Sequence, residues 1–145
     1  MGWSVLWLLS LYICHAGWAW FSLRVLHHAA LMQGTLPMIQ SALLWHPVPT
    51  VLYVAVIGPV AEEILYRGLI FGALQGRMAS GWAIVLSAAV FALCHGFDSF
   101  VFLLFGMGLI LGWVRLKSGS LGLPILIHLL NNGVMLLALT SSPGQ

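Results

Sequence analysis

The sequence predicts an all-α protein, a polytopic bundle of about five to six transmembrane helices. Three observations carry that prediction. Apolar residues make up 61% of the 145 residues and charged residues only 6%, against about 45–50% and about 25% in a soluble domain. The apolar residues gather into runs near the ~20 residues that a bilayer crossing needs. The few polar residues inside those runs recur at i, i+4, the spacing that shares one helix face. The length suits one compact domain. Basic residues are scattered singly, so no nucleic-acid surface is expected.

Trp3–Leu23 reads as the first span, ending at Arg24 with His27 and His28 behind it. No basic stretch precedes it, so a membrane helix is expected rather than a signal peptide. Ala29–Trp45 carries Gln33, Gly34, Thr35, Pro37, Gln40 and Ser41. It reads either as a sixth span or as a re-entrant or interfacial piece. Thr50–Gln75, Trp82–Phe97, Ser99–Val114 and Leu121–Thr140 follow as spans. The expected division is an N-terminal part over residues 1–48, a helical core over 49–140 and a tail over 141–145. Gly106, Gly108 and Gly112 lie on one span, where small residues allow close packing. Cys14 and Cys94 sit in apolar runs without C-x-x-C spacing, so neither a disulfide nor a thiolate metal site is implied.

Basic residues favour cytoplasmic loops. Six crossings would put Arg24, Arg77, Arg115 and Lys117 inside and Asp98 outside, with both termini outside. An integral multi-pass membrane protein is expected.

Ionisable residues deep in a bilayer are expensive and point to function. The chain has three acidic residues, and two of them, Glu62 and Glu63, are adjacent inside a span. Glu63 shares a helix face with Arg67, four residues on, and the two can neutralise each other. Glu62 is turned away by about 100° and lacks that partner. A carboxylate so placed suits general-base work. The alternative is a buried ion-pair network that only holds helices together. Phe91 and His95 share a face of the next span, and His128 and Asn132 share a face of the last. At about 1.5 Å per residue from the inner helix ends, Glu62 and His95 lie about 21 Å deep. Glu63 and Asn132 lie about 20 Å deep, and Arg67 and His128 about 13–14 Å. Antiparallel helices would bring all six into two adjacent layers.

EEILYR, FALCH and HLLNN, in that order on successive apolar segments, resemble the E-E-x-x-x-R, F-x-x-x-H and H-x-x-x-N motifs of the CPBP family of intramembrane proteases. That group contains the type II CAAX prenyl endopeptidases and the bacteriocin-processing, Abi-like proteins. The stretch GLILGWVRLKSGSLGLPILIH resembles the family's run into its last motif. The match covers roughly Ile57 to Met135. CAAX endopeptidases usually have more helices, so the chain resembles their core with a short N-terminal extension.

The resemblance implies an intramembrane endopeptidase acting on a membrane-associated protein or peptide. Hydrolysis needs an activated water, a stabilised oxyanion and a protonated leaving amine. In the expected assignment Glu62 and His95 hold and deprotonate the water. His128 and Asn132 donate to the oxyanion, and Arg67 holds Glu63 so that the pair orients the site. No cofactor is required in this glutamate-type version. In the zinc-dependent alternative Glu62, His95 and His128 become ligands and Glu63 serves as base. Two readings of another class compete. A transporter or proton channel could use the same residue types, but the chain shows no inverted repeat. A non-catalytic bacteriocin-immunity or binding protein is the other. Substrate identity and oligomeric state are not legible.

Overall fold

The computed structural model describes residues 35–96 and 101–141. The first expected span, Asp98 and the tail after residue 141 lie outside the described residues. Every described element is helical, and there is no strand among the described residues. In chain order the helices are α1 (Thr35–Trp45), α2 (Pro47–Gln75), α3 (Ser80–Cys94), α4 (Val101–Ser118) and α5 (Gly122–Ser141). Three stretches, Pro47–Gln75, Val101–Ser118 and Gly122–Thr140, are long and apolar enough to cross a membrane. The protein is thus an integral membrane protein built as a helix bundle.

Large apolar side chains face outward, and four polar or charged ones are buried among the described residues. Leu69, Phe102, Leu130 and Leu137 are exposed, while Glu63, Arg67, Ser87 and His128 are buried. Hydrocarbon accepts the first set without cost. The second set must find partners inside the protein.

Helix α2 begins three residues earlier than expected, with Pro47 and Pro49 in its first turn, where proline costs no intrahelical hydrogen bond. Two π-helical segments, Tyr53–Ile57 and Ile64–Ile70, bracket the α-helical turns Gly58–Glu63. The two glutamates close that central piece.

Helix α3 ends before the expected boundary at Phe97. Its last turn tightens, with His95 N–H donating to Ala92 O and Gly96 N–H to Leu93 O. Gly96 then takes a φ of +110°, a left-handed exit that glycine adopts without a Cβ clash. At 15 residues α3 rises only about 22 Å, less than the ~30 Å hydrocarbon core.

Helix α4 runs past the expected end at Val114 and carries Arg115 and Lys117 in its last turn, not in a loop. Cations there complement the helix dipole, and the Lys117 ammonium lies 5.8 Å from the centre of the Trp113 ring. Gly119, at φ +67°, ends the helix. Ser120 Oγ then accepts from Gly122 N–H at the start of α5, satisfying one free donor of that helix. Of the ambiguous segment 29–45, the described part is α1. Its 11 residues rise only about 16 Å.

Phe71, Ala83 and Ile84 form a core that Leu74, Met78, Leu109, Trp113 and Leu116 cover. This cluster ties together the lower ends of α2, α3 and α4.

Candidate active site

The site forms where α2, α3 and α5 meet above that core. Glu63 and Arg67 are wholly buried, and Glu63 Oε1 lies 3.0 Å from Arg67 Nη1. The pair expected from their spacing therefore forms. Arg67 Nη2 donates to Gly108 O on α4 at 3.2 Å. The guanidinium carbon sits 4.6 Å from the centre of the Phe91 ring on α3, within cation–π range. One arginine thus ties three helices together.

His128, on α5, turns Nδ1 to Glu63 Oε1 at 2.9 Å. The carboxylate accepts, so Nδ1 carries a proton and Nε2 points away from Glu63. That nitrogen lies 3.7 Å from Glu62 Oε2. His95 is set the same way by a different anchor. Its Nδ1 donates to Phe91 O at 2.7 Å, because a carbonyl can only accept. Its Nε2 lies 3.6 Å from Glu62 Oε1. Both imidazoles therefore present Nε2 to the same carboxylate, one to each oxygen.

Exposure separates the two glutamates. Glu63 is 0% exposed, whereas the Glu62 side chain is 30% exposed. Glu62 folds back over Gly58, where an added Cβ would sit 3.9 Å from Oε1. Phe91 organises the rings, with centroid distances of 4.6 Å to His95, 5.1 Å to Tyr66 and 5.9 Å to His128. At this site Glu63 Oε2, Arg67 Nε and Arg67 Nη1 are buried without a well-directed hydrogen bond. The close Nη1–Oε1 approach is accordingly an ion pair rather than an aligned hydrogen bond.

Five of the six expected residues thus share one connected network. The sixth, Asn132, is half-buried and reaches another partner. Its Nδ2 donates to Val54 O at 2.9 Å, and its Oδ1 accepts from Asn131 Nδ2 at 3.3 Å. Asn131 and Val54 were not expected at the site, and Gly108 was expected only as a packing glycine. HLLNN offers Asn131 in plain view, but backbone carbonyls such as those of Val54 and Gly108 leave no mark on a sequence.

The donor set can be tested against a metal. Imidazoles anchored through Nδ1 to a carboxylate and to a carbonyl have the orientation that metal-ligating histidines need. Yet among the described residues no group of three His, Cys, Asp or Glu side chains closes into a metal-holding cluster. The side chains as placed do not fit a preformed three-ligand site.

A helical membrane bundle with a buried carboxylate–guanidinium–imidazole network beneath a second, accessible carboxylate is thus the class of protein defined here. The family description "Type II CAAX prenyl endopeptidase Rce1-like" matches residues 44–134. The chain belongs to this family. It is 34% identical over 93 residues to the membrane-embedded CAAX protease MroQ of Staphylococcus aureus (strain USA300), covering 60% of this chain and 38% of MroQ. It is 30% identical over 101 residues to YdiL of Bacillus subtilis (strain 168), covering 69% of this chain and 39% of YdiL. The chain thus spans less than two fifths of the length of these curated relatives. No solved structure matches it.

Proposed function

We propose that this protein is an intramembrane endopeptidase of glutamate type, hydrolysing a peptide bond of a membrane-associated protein or peptide in the bacterial cytoplasmic membrane. The observation that carries the reading is Glu62. It is the accessible carboxylate of the site, with the Nε2 atoms of His95 and His128 at 3.6 and 3.7 Å from its two oxygens.

A water beside Glu62 has two acceptors, the carboxylate and the free Nε2 lone pair of His95. The carboxylate takes one proton as the water oxygen bonds to the substrate carbonyl carbon. To donate from Nε2 to the carbonyl oxygen as it becomes an oxyanion, His128 must carry a proton there as well as on Nδ1. Glu63 is paired with Arg67, so the imidazolium is balanced by Glu62 before attack and by the oxyanion after it. The negative charge moves from Glu62 to the oxyanion, so the site's net charge is unchanged during attack. Glu62 then passes its proton to the leaving nitrogen, and the C–N bond breaks.

The zinc-dependent reading is kept by one observation, the Nδ1 anchoring of both histidines. Metal analysis of the purified protein separates the two, since the zinc version requires stoichiometric metal that His95→Ala releases.

Terminal-peptide mass spectrometry on native-host membranes tests the activity. Wild-type membranes should contain protein termini that vanish with Glu62→Gln. Identical termini, with both proteins present at equal level, would favour the immunity or binding reading.

A further inference from the structure

We infer that Asn132 is a positioning residue, whose side-chain amide replaces the backbone N–H that Pro59 lacks and thereby fixes the helical turn carrying Glu62. Pro59 is buried within α2. Proline has no N–H to give a helix. In the π segment before it, donors bond five residues back, and Gly58 N–H goes to Tyr53 O. The next carbonyl, Val54 O, would take the N–H of residue 59 in the same register, and residue 59 has none. Val54 O is thus the carbonyl that this register orphans. It is the atom to which Asn132 Nδ2 donates, at 2.9 Å across 78 residues of sequence.

The clamp is built from both sides. Asn131 Nδ2 donates to Asn132 Oδ1, which turns the Asn132 NH₂ toward Val54. Gly58 leaves room, since a Cβ there would meet Tyr53 O at 3.1 Å. Glu62 lies three residues beyond Pro59, in the α-helical piece Gly58–Glu63. Releasing the α5 side of the clamp frees the π segment to rewind. Rewinding by one residue rotates Glu62 by about 100° away from both imidazoles. This gives Asn132 a role other than the oxyanion donor that its place in HLLNN suggests.

The consequence is a coupling that a direct donor to substrate would not show. Pro59→Ala restores an N–H at residue 59, which Val54 O can accept without Asn132. The test is a double-mutant cycle of Asn132→Ala and Pro59→Ala, read as the thermal unfolding midpoint of the purified protein in detergent. Asn132→Ala alone should lower the midpoint by about 4 °C or more. In the Pro59→Ala background it should lower it by less than half as much. Equal loss in both backgrounds, or no loss in either, overturns the inference. Should Asn132→Ala alone fail to fold, recovery of folded protein in the double variant supports the clamp, and continued failure refutes it.

A second readout rests on the proposed activity, namely the Glu62-dependent protein termini in native membranes. They should be depleted by Asn132→Ala and return in the double variant. Termini lost in both backgrounds at unchanged midpoints would mark Asn132 as a direct donor. Because the midpoint needs no substrate, the clamp and the proteolytic reading can fail separately.

Discussion

Glu62 and Glu63 are chain neighbours with opposite environments, and single substitutions should separate them. Glu62 is partly exposed and faces two imidazole nitrogens without a strong ion pair. Glu62→Gln keeps its shape and removes the proposed base. Cleavage should fall by about 10²–10⁴-fold, with the unfolding midpoint near wild type; wild-type cleavage would remove Glu62 from the chemistry. Arg67 is the contrary case. It is buried, paired with Glu63, bonded to Gly108 O and stacked on Phe91. Arg67→Ala leaves the Glu63 carboxylate without its cation, a loss of about 3–5 kcal/mol. Arg67→Lys should not rescue it, because an ammonium cannot hold Glu63 and Gly108 O from one planar group over a ring. A variant that melts like wild type would refute the ion pair. At this scale the sequence was informative where partners lie one turn apart, as with Glu63 and Arg67. It was silent on the bond from His128 to Glu63, 65 residues away, because helix periodicity carries no information about which faces meet.

The elements set the register of those residues through backbone features. The packing of α3 on α4 rests on small residues. A Cβ on Gly108 would lie 2.8 Å from Ala88 Cβ, and one on Gly112 would lie 3.1 Å from Ile84 Cγ2. Gly108 also supplies the carbonyl that Arg67 reaches. Gly108→Ala should therefore push α4 outward, costing about 1–3 kcal/mol, and should weaken cleavage as Arg67 loses its acceptor. Gly72→Ala, at a helical glycine with nothing within 4 Å, should be neutral or stabilising by up to ~1 kcal/mol. Chemical or thermal unfolding of both variants checks the contrast; equal stabilities would mean that the helices can slide apart at no cost. The glycines were visible in the sequence as a packing stripe, but their second use, offering a carbonyl to a buried cation, was not. Gly96 was also legible in principle. A glycine directly after His95 is the usual signal of a helix end, yet the apolar run continuing to Phe97 outweighed it. The π segments had only Pro59 as a sign, and a proline inside a helix does not say which carbonyl it orphans.

At the scale of the whole molecule, direction in the membrane follows from which ends meet. Met78, after α2, and Leu116, at the end of α4, cover the same core cluster. The Leu121 side chain lies 3.5 Å from where a Gly68 Cβ would sit. The turns after α2 and after α4 thus lie at one end of the bundle, and that end carries Arg77, Arg115 and Lys117. The sequence reading already put Arg77, Arg115 and Lys117 on one side, but in loops; Arg115 and Lys117 instead belong to the last turn of α4. Basic ends favour the cytoplasm. Cysteines introduced at Ala79 and at Ser120, in a chain lacking Cys14 and Cys94, should then both react with a membrane-impermeant maleimide only when the cytoplasmic side is open. Opposite labelling of the two would contradict the hairpin pairing, and labelling of both from outside would invert the molecule. The orientation bears on the substrate. Glu62 lies 13 residues above Gln75, about 20 Å from the basic end, and so past the middle of a ~30 Å core. Cytoplasmic labelling at both positions would place the accessible carboxylate in the outer half of the bilayer. The termini lost with Glu62→Gln should then map to bonds near the outer face of membrane-associated substrates, and cuts clustered at the inner face would require the reverse orientation or a different nucleophile.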